Sequence, residues 1–315
     1  MVYQFQFRPY QRQFVRSLST SHGNWETREG IIIQLINETG AIGWGEIAPL
    51  PWFGSETLDD ALNFCIQLGK EITTETIFAI SDRLPACQFG FESAWEALKH
   101  PQKVNLNCNF SALLPAGDAA LNTWQKLWQQ GYQTFKWKIG VLPINEEIEI
   151  FQKLIQGLPN QAKLRLDANG GLNWETAIEW LKVCDIWAIE FLEQPLPIGE
   201  EKAILELSKL YSTPLALDES VATIAQLKAC YQLGWRGVFV IKPCIAGSPI
   251  YLRKFCQQHS LDIVFSSVFE TSIGREAALK LAAELSSKNR ALGFGVNHWF
   301  KEDEKTWLTD LWNHL

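Results

Sequence analysis

Lys136 and Lys138 stand two residues apart in the run Phe135-Lys136-Trp137-Lys138-Ile139-Gly140, after a helix-like stretch (Ala119 to Gln130, stopped by Gly131) and before a turn at Gly140 to Pro143. Such a run reads as a short strand of a βα repeat. Alternate strand side chains share a face, so both lysines point one way and Phe135, Trp137 and Ile139 the other. If the apolar face meets helices, two ammonium groups roughly 7 Å apart point into a sheet or barrel, a costly arrangement. Taken alone, the run also fits a solvent-facing edge of an antiparallel sheet. The ends of later apolar runs favour the first reading. Leu164-Arg165-Leu166-Asp167 ends in Asp167, Phe191-Leu192-Glu193 in Glu193, Leu215-Ala216-Leu217-Asp218 in Asp218 and Val240-Ile241-Lys242 in Lys242. The spacings are 26, 25 and 24 residues, about one βα unit each, so in a barrel these groups converge on one mouth. Three carboxylates on neighbouring strands make a hard-oxygen set suited to Mg²⁺, which keeps positions open for substrate oxygens. Singly, each acid is a common helix cap or turn residue. In register and flanked by lysines, they define a candidate site. Strand parity does not choose between Glu190 and Glu193; Glu193 is preferred because it stands at the strand exit, before a Pro-ended turn. Glu219, Asp185 and Arg165 read as supporting or solvated charges.

The elements that must position these groups follow from the texture of the chain. From about residue 104, short apolar strands alternate with helical segments: Val104–Leu114, Thr134–Ile139, Lys163–Ala168, Trp187–Leu192, Pro214–Asp218, Gly237–Ile241, Asp262–Ser266 and Ala291–Val296. Eight strands with helices between most of them predict an α/β chain with a (β/α) barrel. A doubly wound sheet would want a Gly-x-Gly-x-x-Gly turn after its first strand, and none is there. Residues 1–100 lack the repeat. Phe5 to Phe14 and Gly30 to Glu38 read as antiparallel strands, and the polar stretch Ser17–Asn24 between them as a loop able to act as a lid. Gly43 to Glu56 reads as an apolar loop punctuated by Gly and Pro, suited to interdomain packing or to substrate contact. The expected division is an α+β capping domain over 1–100 and a barrel over 101–298. Residues 299–315 would return to the cap, with Trp307, Leu311 and Trp312 at helical spacing.

Composition narrows the function class. A chain of 315 residues, 47% hydrophobic, can bury a large core. Its net charge of −7 and lack of a basic run argue against nucleic acid or an anionic membrane as partner. The first residues carry no basic and apolar regions of a signal peptide, and no apolar run reaches the roughly 18 residues of a membrane helix. Seven scattered cysteines without a Cys-x-x-Cys pair fit a reduced, cytoplasmic protein that uses them as small apolar residues.

The series Lys-x-Lys, Asp, Glu, Asp, Lys resembles the enolase superfamily, muconate-lactonizing subgroup, over nearly the whole chain. More narrowly, Gly45-Glu46-Ile47-Ala48-Pro49-Leu50-Pro51, Asp167-Ala168-Asn169 and Phe265 to Gly274 resemble the o-succinylbenzoate synthase family of menaquinone and phylloquinone biosynthesis. The resemblance implies a modified TIM (β/α)7β barrel with an α+β capping domain, and abstraction of a proton α to a carboxylate with Mg²⁺ as cofactor, a scheme the enolase superfamily is known for. It further implies Lys138 as the base and Lys136 beside it, lowering its pKa and touching the substrate carboxylate. Asp167, Glu193 and Asp218 would be the metal ligands, with Asn169 close by and Lys242 across the mouth. The base must be neutral near pH 7, so a lysine must fall from about 10.4 to about 7–8. The implied reaction is loss of water from 2-succinyl-6-hydroxy-2,4-cyclohexadiene-1-carboxylate to give 2-succinylbenzoate. Ser266, Ser267 and Glu270 could line the pocket, Gly293 and Gly295 would let the eighth-strand backbone come close to it, and the loops Ser17–Asn24 and Pro49–Ser55 would close over the succinyl tail. For each of these, ordinary loop structure is the alternative. Two rival functions stay open: an N-acylamino acid racemase or related epimerase, with Lys138 and Lys242 on opposite faces, and a barrel scaffold without catalysis. Dipeptide epimerases carry an Asp-x-Asp on the eighth strand, whereas Gly293-Phe294-Gly295-Val296-Asn297 has no carboxylate for a substrate ammonium.

Overall fold

The structure, a computed structural model, describes residues 1–20, 23–99, 108–286, 289–296, 299–301 and 303–313. The N-terminal part is built on an antiparallel sheet of β1 (Val2–Thr20), β2 (Gly23–Ile36), β3 (Ile42–Ile47) and β4 (Glu71–Thr73), in the order β3-β2-β1-β4. Helices α1 (Leu58–Gln67), α2 (Thr74–Phe78) and α3 (Pro85–Lys99) accompany it. Thr57 and Thr73 cap α1 and α2 through reciprocal capping boxes with Asp60 and Thr76. Two sequence expectations are corrected here. Ser17–Asn24 is not loop throughout: the hairpin continues through Leu18↔Trp25, Ser19↔Asn24 and Thr20↔Gly23 after a register shift beyond Gln13. Cross-strand pairing overrides the local preference of Ser and Asn for turns; Ser21 and His22 lie outside the described residues. The apolar stretch from Gly43 likewise begins as strand β3, not loop. Its glycines are explained by contact: a Cβ on Gly43 or Gly45 would lie 2.0 or 2.1 Å from the carbonyl oxygens of Ala94 and Gly90, so β3 lies directly on α3.

The rest of the chain alternates strand and helix. In order these are β5 (Ser111–Leu113), α4 (Ala120–Gln129), β6 (Thr134–Lys138), α5 (Ile144–Gly157), β7 (Lys163–Asp167), α6 (Trp174–Cys184), β8 (Phe191–Glu193) and α7 (Glu201–Leu210). They continue with β9 (Leu215–Leu217), α8 (Ile224–Leu233), β10 (Val238–Ile241), α9 (Pro243–Ala246), α10 (Pro249–Gln258), β11 (Asp262–Phe265) and α11 (Ser272–Leu285). The seven strands form one parallel sheet in sequence order, and single bridges Phe110↔Leu292 and Ser266↔Gly293 close it. The architecture is thus a modified TIM (β/α)7β barrel with an α+β cap. The expected eighth strand, Ala291–Val296, is an extended stave held by those bridges and not by a ladder. It needs glycine, because a Cβ on Gly293 would sit 2.6 Å from Ser266 Oγ and one on Gly295 2.2 Å from the Ser111 carbonyl oxygen. Of the predicted first strand, residues 104–107 lie outside the described residues. The fourth begins later than expected, at Phe191, because Trp187 N still bonds Cys184 O in the turn that ends α6.

Outside the barrel wall, Phe135, Trp137 and Ile139 are buried against the helices, with Trp180 edge-on to both Trp137 and Phe151 at 6.4 and 5.7 Å. Each such side chain contributes roughly 1.5–3 kcal/mol of burial. Inside, Phe191, Ala216, Val238, Val240 and Val264 form an apolar layer. The last helix, α12 (Glu304–Asn313), returns to the cap: Trp307 stacks edge-on to Tyr10 at 5.3 Å and Trp312 to Trp44 at 4.7 Å.

Candidate active site

Parallel register sets the site. Lys138 pairs with Asp167 and Asp167 with Glu193, so three charged groups occupy one rung at the carboxyl ends of β6, β7 and β8. One rung below, Lys136 pairs with Arg165 and Arg165 with Phe191. Asp218 and Lys242 leave β9 and β10 at the same rim. The side chains meet. Lys136 Nζ lies 2.7 Å from Asp167 Oδ2 and 2.6 Å from Glu193 Oε1, and Lys242 Nζ is paired with Asp218. Lys138, half-buried, makes no hydrogen bond or ion pair among the described residues. Glu190, the alternative to Glu193, lies at the opposite end of the barrel, bound by Arg165 at 2.6 Å and Arg290 at 2.9 Å.

The rim is held by strained backbone. Asn169, two residues past β7, and Gln194, directly after β8, both adopt left-handed conformations, φ 45° and 38°. Asn169 N donates to Asp167 Oδ1 at 3.0 Å, and its Nδ2 to Glu219 Oε1 at 3.2 Å. Gln194, fully buried, was not foreseen from sequence. Its Oε1 accepts from Asp218 N and Ser220 N at 3.0 and 3.2 Å, while its Nε2 donates to Ser220 Oγ and Leu196 O. One amide therefore fixes the segment that carries Asp218. The Glu-Gln-Pro triplet at a strand exit was the available signal.

Electrostatically the rim is over-supplied with acid. Burial pushes the Glu193 carboxyl up to about 8, Asp167 adds to the rise, and Lys136 only partly opposes it. Burial also raises Asp218, against the pull of Lys242, and it raises Glu219, helped by Asp167. Burial opposes the Lys136 ammonium, but Asp167, Glu193 and Asp218 outweigh it and hold that lysine charged well above its usual range. Four carboxyl groups thus face two paired ammonium groups, so the acids outnumber the amines paired with them. One carboxylate oxygen, Glu219 Oε2, is buried without a hydrogen-bond partner among the described residues. Among the described residues no three acids, imidazoles or thiols stand ready-made around a metal position, since the lysines take the acids up instead. The donor set nevertheless fits a hard divalent cation: all oxygen, buried, and with more acids than paired ammonium groups.

Other expected pocket residues have local duties. Ser267 Oγ bonds both Glu270 oxygens at 2.9 Å, Val268 N bonds Glu270 Oε2 at 2.7 Å, and Phe269 N bonds Ser267 Oγ. Ser267 and Glu270 thus build a tight turn around Phe269, φ 60°. Ser266 backs onto Gly293, and both glycines of the eighth stave serve its close approach to Ser266 and Ser111. Glu46 of β3 crosses to the barrel and accepts from Thr271 N at 3.0 Å, Gly274 N at 2.9 Å and Tyr10 Oη at 2.5 Å, holding the first turn of α11. The loop after β3 reaches the rim: the Phe53 ring centroid lies 3.7 Å from Lys242 Nζ, and Trp52 stacks edge-on to Trp25 at 5.2 Å. A cavity of about 510 Å³ opens at the other end of the barrel, among Gln130, Gln133, Gln161 and Lys163. It holds no acid–base pair, and barrel chemistry resides at the carboxyl ends of the strands. Asn297 lies outside the described residues.

A capped barrel with this rim defines a class of carbon-acid enzymes, and comparison agrees: residues 119–310 match the family described as enolase C-terminal domain-like, and residues 3–98 the MenC N-terminal domain. The chain is 42% identical to o-succinylbenzoate synthase of Thermosynechococcus vestitus, covering 99% of both chains, and 32% identical to that of Edwardsiella ictaluri, covering 83% of this chain and 80% of the other. A crystal structure of o-succinylbenzoate synthase from Thermosynechococcus elongatus BP-1, with Mg in its active site, superposes at a TM-score of 0.92, with 40% identity over 99% of this chain and 100% of that one. The chain belongs to the o-succinylbenzoate synthase family. A dipeptide epimerase from Enterococcus faecalis, 20% identical with a TM-score of 0.81 over 93% of this chain and 90% of its own, shares the fold. No helix among the described residues is long and apolar enough to cross a membrane.

Proposed function

We propose that the chain is a Mg²⁺-dependent o-succinylbenzoate synthase of menaquinone or phylloquinone biosynthesis, dehydrating 2-succinyl-6-hydroxy-2,4-cyclohexadiene-1-carboxylate to 2-succinylbenzoate. The observation that carries the reading is the single rung Lys138, Asp167, Glu193, with Lys242 and Asp218 at the same rim. Asp167, Glu193 and Asp218 would hold Mg²⁺, which when bound supplies positive charge where the substrate carboxylate gains its second negative one. Lys138 removes the proton α to that carboxylate. The same side chain, now an ammonium, returns the proton to the departing hydroxyl on the same face, so water leaves, the ring becomes aromatic and Lys138 is neutral again. Lys136 shares a face of β6 with Lys138 and, in this structure, lies between Asp167 and Glu193, at the place where a substrate carboxylate would meet the rim. Lys242 faces the developing charge from across the mouth.

The reading carries two further proposals. The cap spans 1–100 and the barrel 101–298, supported by the two separate sheets and by the return of α12 to Tyr10 and Trp44. A cytoplasmic location is supported by seven cysteines that are all unpaired. The test is absorbance-followed dehydration of the cyclohexadiene with Mg²⁺ and with chelator. Turnover that chelator leaves untouched would refute the reading. So would α-proton exchange of N-succinylamino acids in deuterated water without dehydration, which would favour a racemase.

A further inference from the structure

The loop after β3 is a built element. Pro51–Phe53 form one 3-10 turn, ended by Gly54 at φ 112°. Leu50 N donates to Ser55 Oγ at 2.6 Å and Phe53 N to Leu50 O at 2.9 Å. Arg28 Nη1 holds the Pro49 carbonyl at 3.0 Å. On the far side, Glu56 accepts from Cys87 N and Ala86 N, at 2.7 and 3.0 Å, in the first turn of α3. What this scaffold presents to the barrel is the face of Phe53, centred 3.7 Å from Lys242 Nζ. The Lys242 ammonium is therefore bounded by an aromatic face and by the Asp218 carboxylate.

On the function proposed above, a divalent cation would draw on the same Asp218 carboxylate and weaken its hold on the Lys242 ammonium. A ring face attracts the cation through its quadrupole and uses none of the three N–H donors. We propose that Phe53 is a positioning residue: its ring keeps the Lys242 ammonium at the mouth, donors free for substrate, when Asp218 turns to the metal. The proposal rests on the function assigned above to Lys242.

The test uses the full chain. Phe53→Leu keeps bulk and removes the ring face; Phe53→Tyr keeps the face. With Mg²⁺ and the cyclohexadiene substrate, Phe53→Leu is expected to lower kcat about 3- to 30-fold, the range of one cation–π contact, with KM within about twofold, and Phe53→Tyr to recover most of that loss. A second readout needs no turnover. In a double-mutant cycle of Phe53→Leu with Lys242→Met, the shifts in thermal midpoint should be non-additive with chelator and with Mg²⁺ alike. Equal kcat for Phe53→Leu and parent, equal losses for the Leu and Tyr variants, or additive midpoint shifts would each overturn the proposal. A parent protein that fails to dehydrate the substrate would refute the function instead, and the thermal cycle would still decide whether ring and ammonium are coupled.

Discussion

Replacing Glu193 by Gln should make the metal-free protein more stable while abolishing its response to Mg²⁺. Burial and Asp167 raise this carboxyl from 4.5 to about 8, a move worth about 5 kcal/mol. The sign follows from proton uptake. Between about 4.5 and 8 the folded chain holds a proton that the unfolded chain has lost, so stability falls as pH rises through that window. Near pH 8 the glutamate therefore costs about 4 kcal/mol that a neutral amide does not. The opposing pull of Lys136, 2.6 Å away, is already contained in that rise, and Lys136 keeps Asp167 at 2.7 Å. The net gain is therefore at most about 4 kcal/mol. For 315 residues that is a rise of at most about 6 °C in Tm, from the usual unfolding entropy per residue. The assay is thermal unfolding in chelator from pH 5 to 9: the parent's Tm should sink with pH and the variant's should not, the gap being widest above pH 8. With Mg²⁺ at a hundred times its Kd the parent gains about 2.7 kcal/mol and the variant little, so the order narrows or inverts. A variant less stable than the parent in chelator across this range, or one equally stabilised by Mg²⁺, would refute the view that the acids of this rim are in excess until a cation joins them.

Lys138→Ala should leave Tm within about 1 °C, because that side chain makes no hydrogen bond or ion pair among the described residues, and should cut dehydration by about 10²–10⁴; matched activity and stability assays check both. Gln194→Ala strips Asp218 N and Ser220 N of their acceptor, so calorimetric titration should show Mg²⁺ binding weakened about 10-fold or more in a protein that still folds. Glu92 is raised to about 7 by burial. It destabilises the fold increasingly from about pH 4.5 to 7, so Glu92→Gln should raise Tm at pH 8, by at most about 3 kcal/mol of stability, and hardly at pH 5.

Legibility in the sequence tracked how local each determinant was. Lys136, Lys138, Asp167 and Asp218 owe their places to the parity and exit of a single strand, and a period of two can be read along one segment. Choosing Glu193 over Glu190 already needed the neighbour: only the pairing Asp167↔Glu193 puts it on the rung, and only Arg165 and Arg290 explain what Glu190 does instead. The hairpin arms at 17–20 and 23–24 escaped because Ser, Thr and Asn carry turn propensity, whereas their partners lie across the hairpin. Gly43, Gly45, Gly293 and Gly295 could be read as flexible positions. They are points where two backbones, or a backbone and Ser266, come too close for a Cβ.

The same distinction bears on how the site works. Groups set by their own strand supply the chemistry, but the charge state in which they wait is set by contacts between elements: Lys136 from β6 against Glu193 from β8, Lys242 from β10 against Asp218 from β9 and Phe53 from the cap. A buried excess of acid is unstable unless something positive moves in. In this structure the lysines do so, and on the proposed function each pair would engage a carboxylate meant for the metal and an ammonium meant for the substrate. Binding of the cation should therefore release both lysines together, which makes metal loading and arming of the amines a single event; a proton count on Mg²⁺ binding, near one at pH 7 where Glu193 starts protonated, is the measurement that separates this from a preformed, fully ionised site.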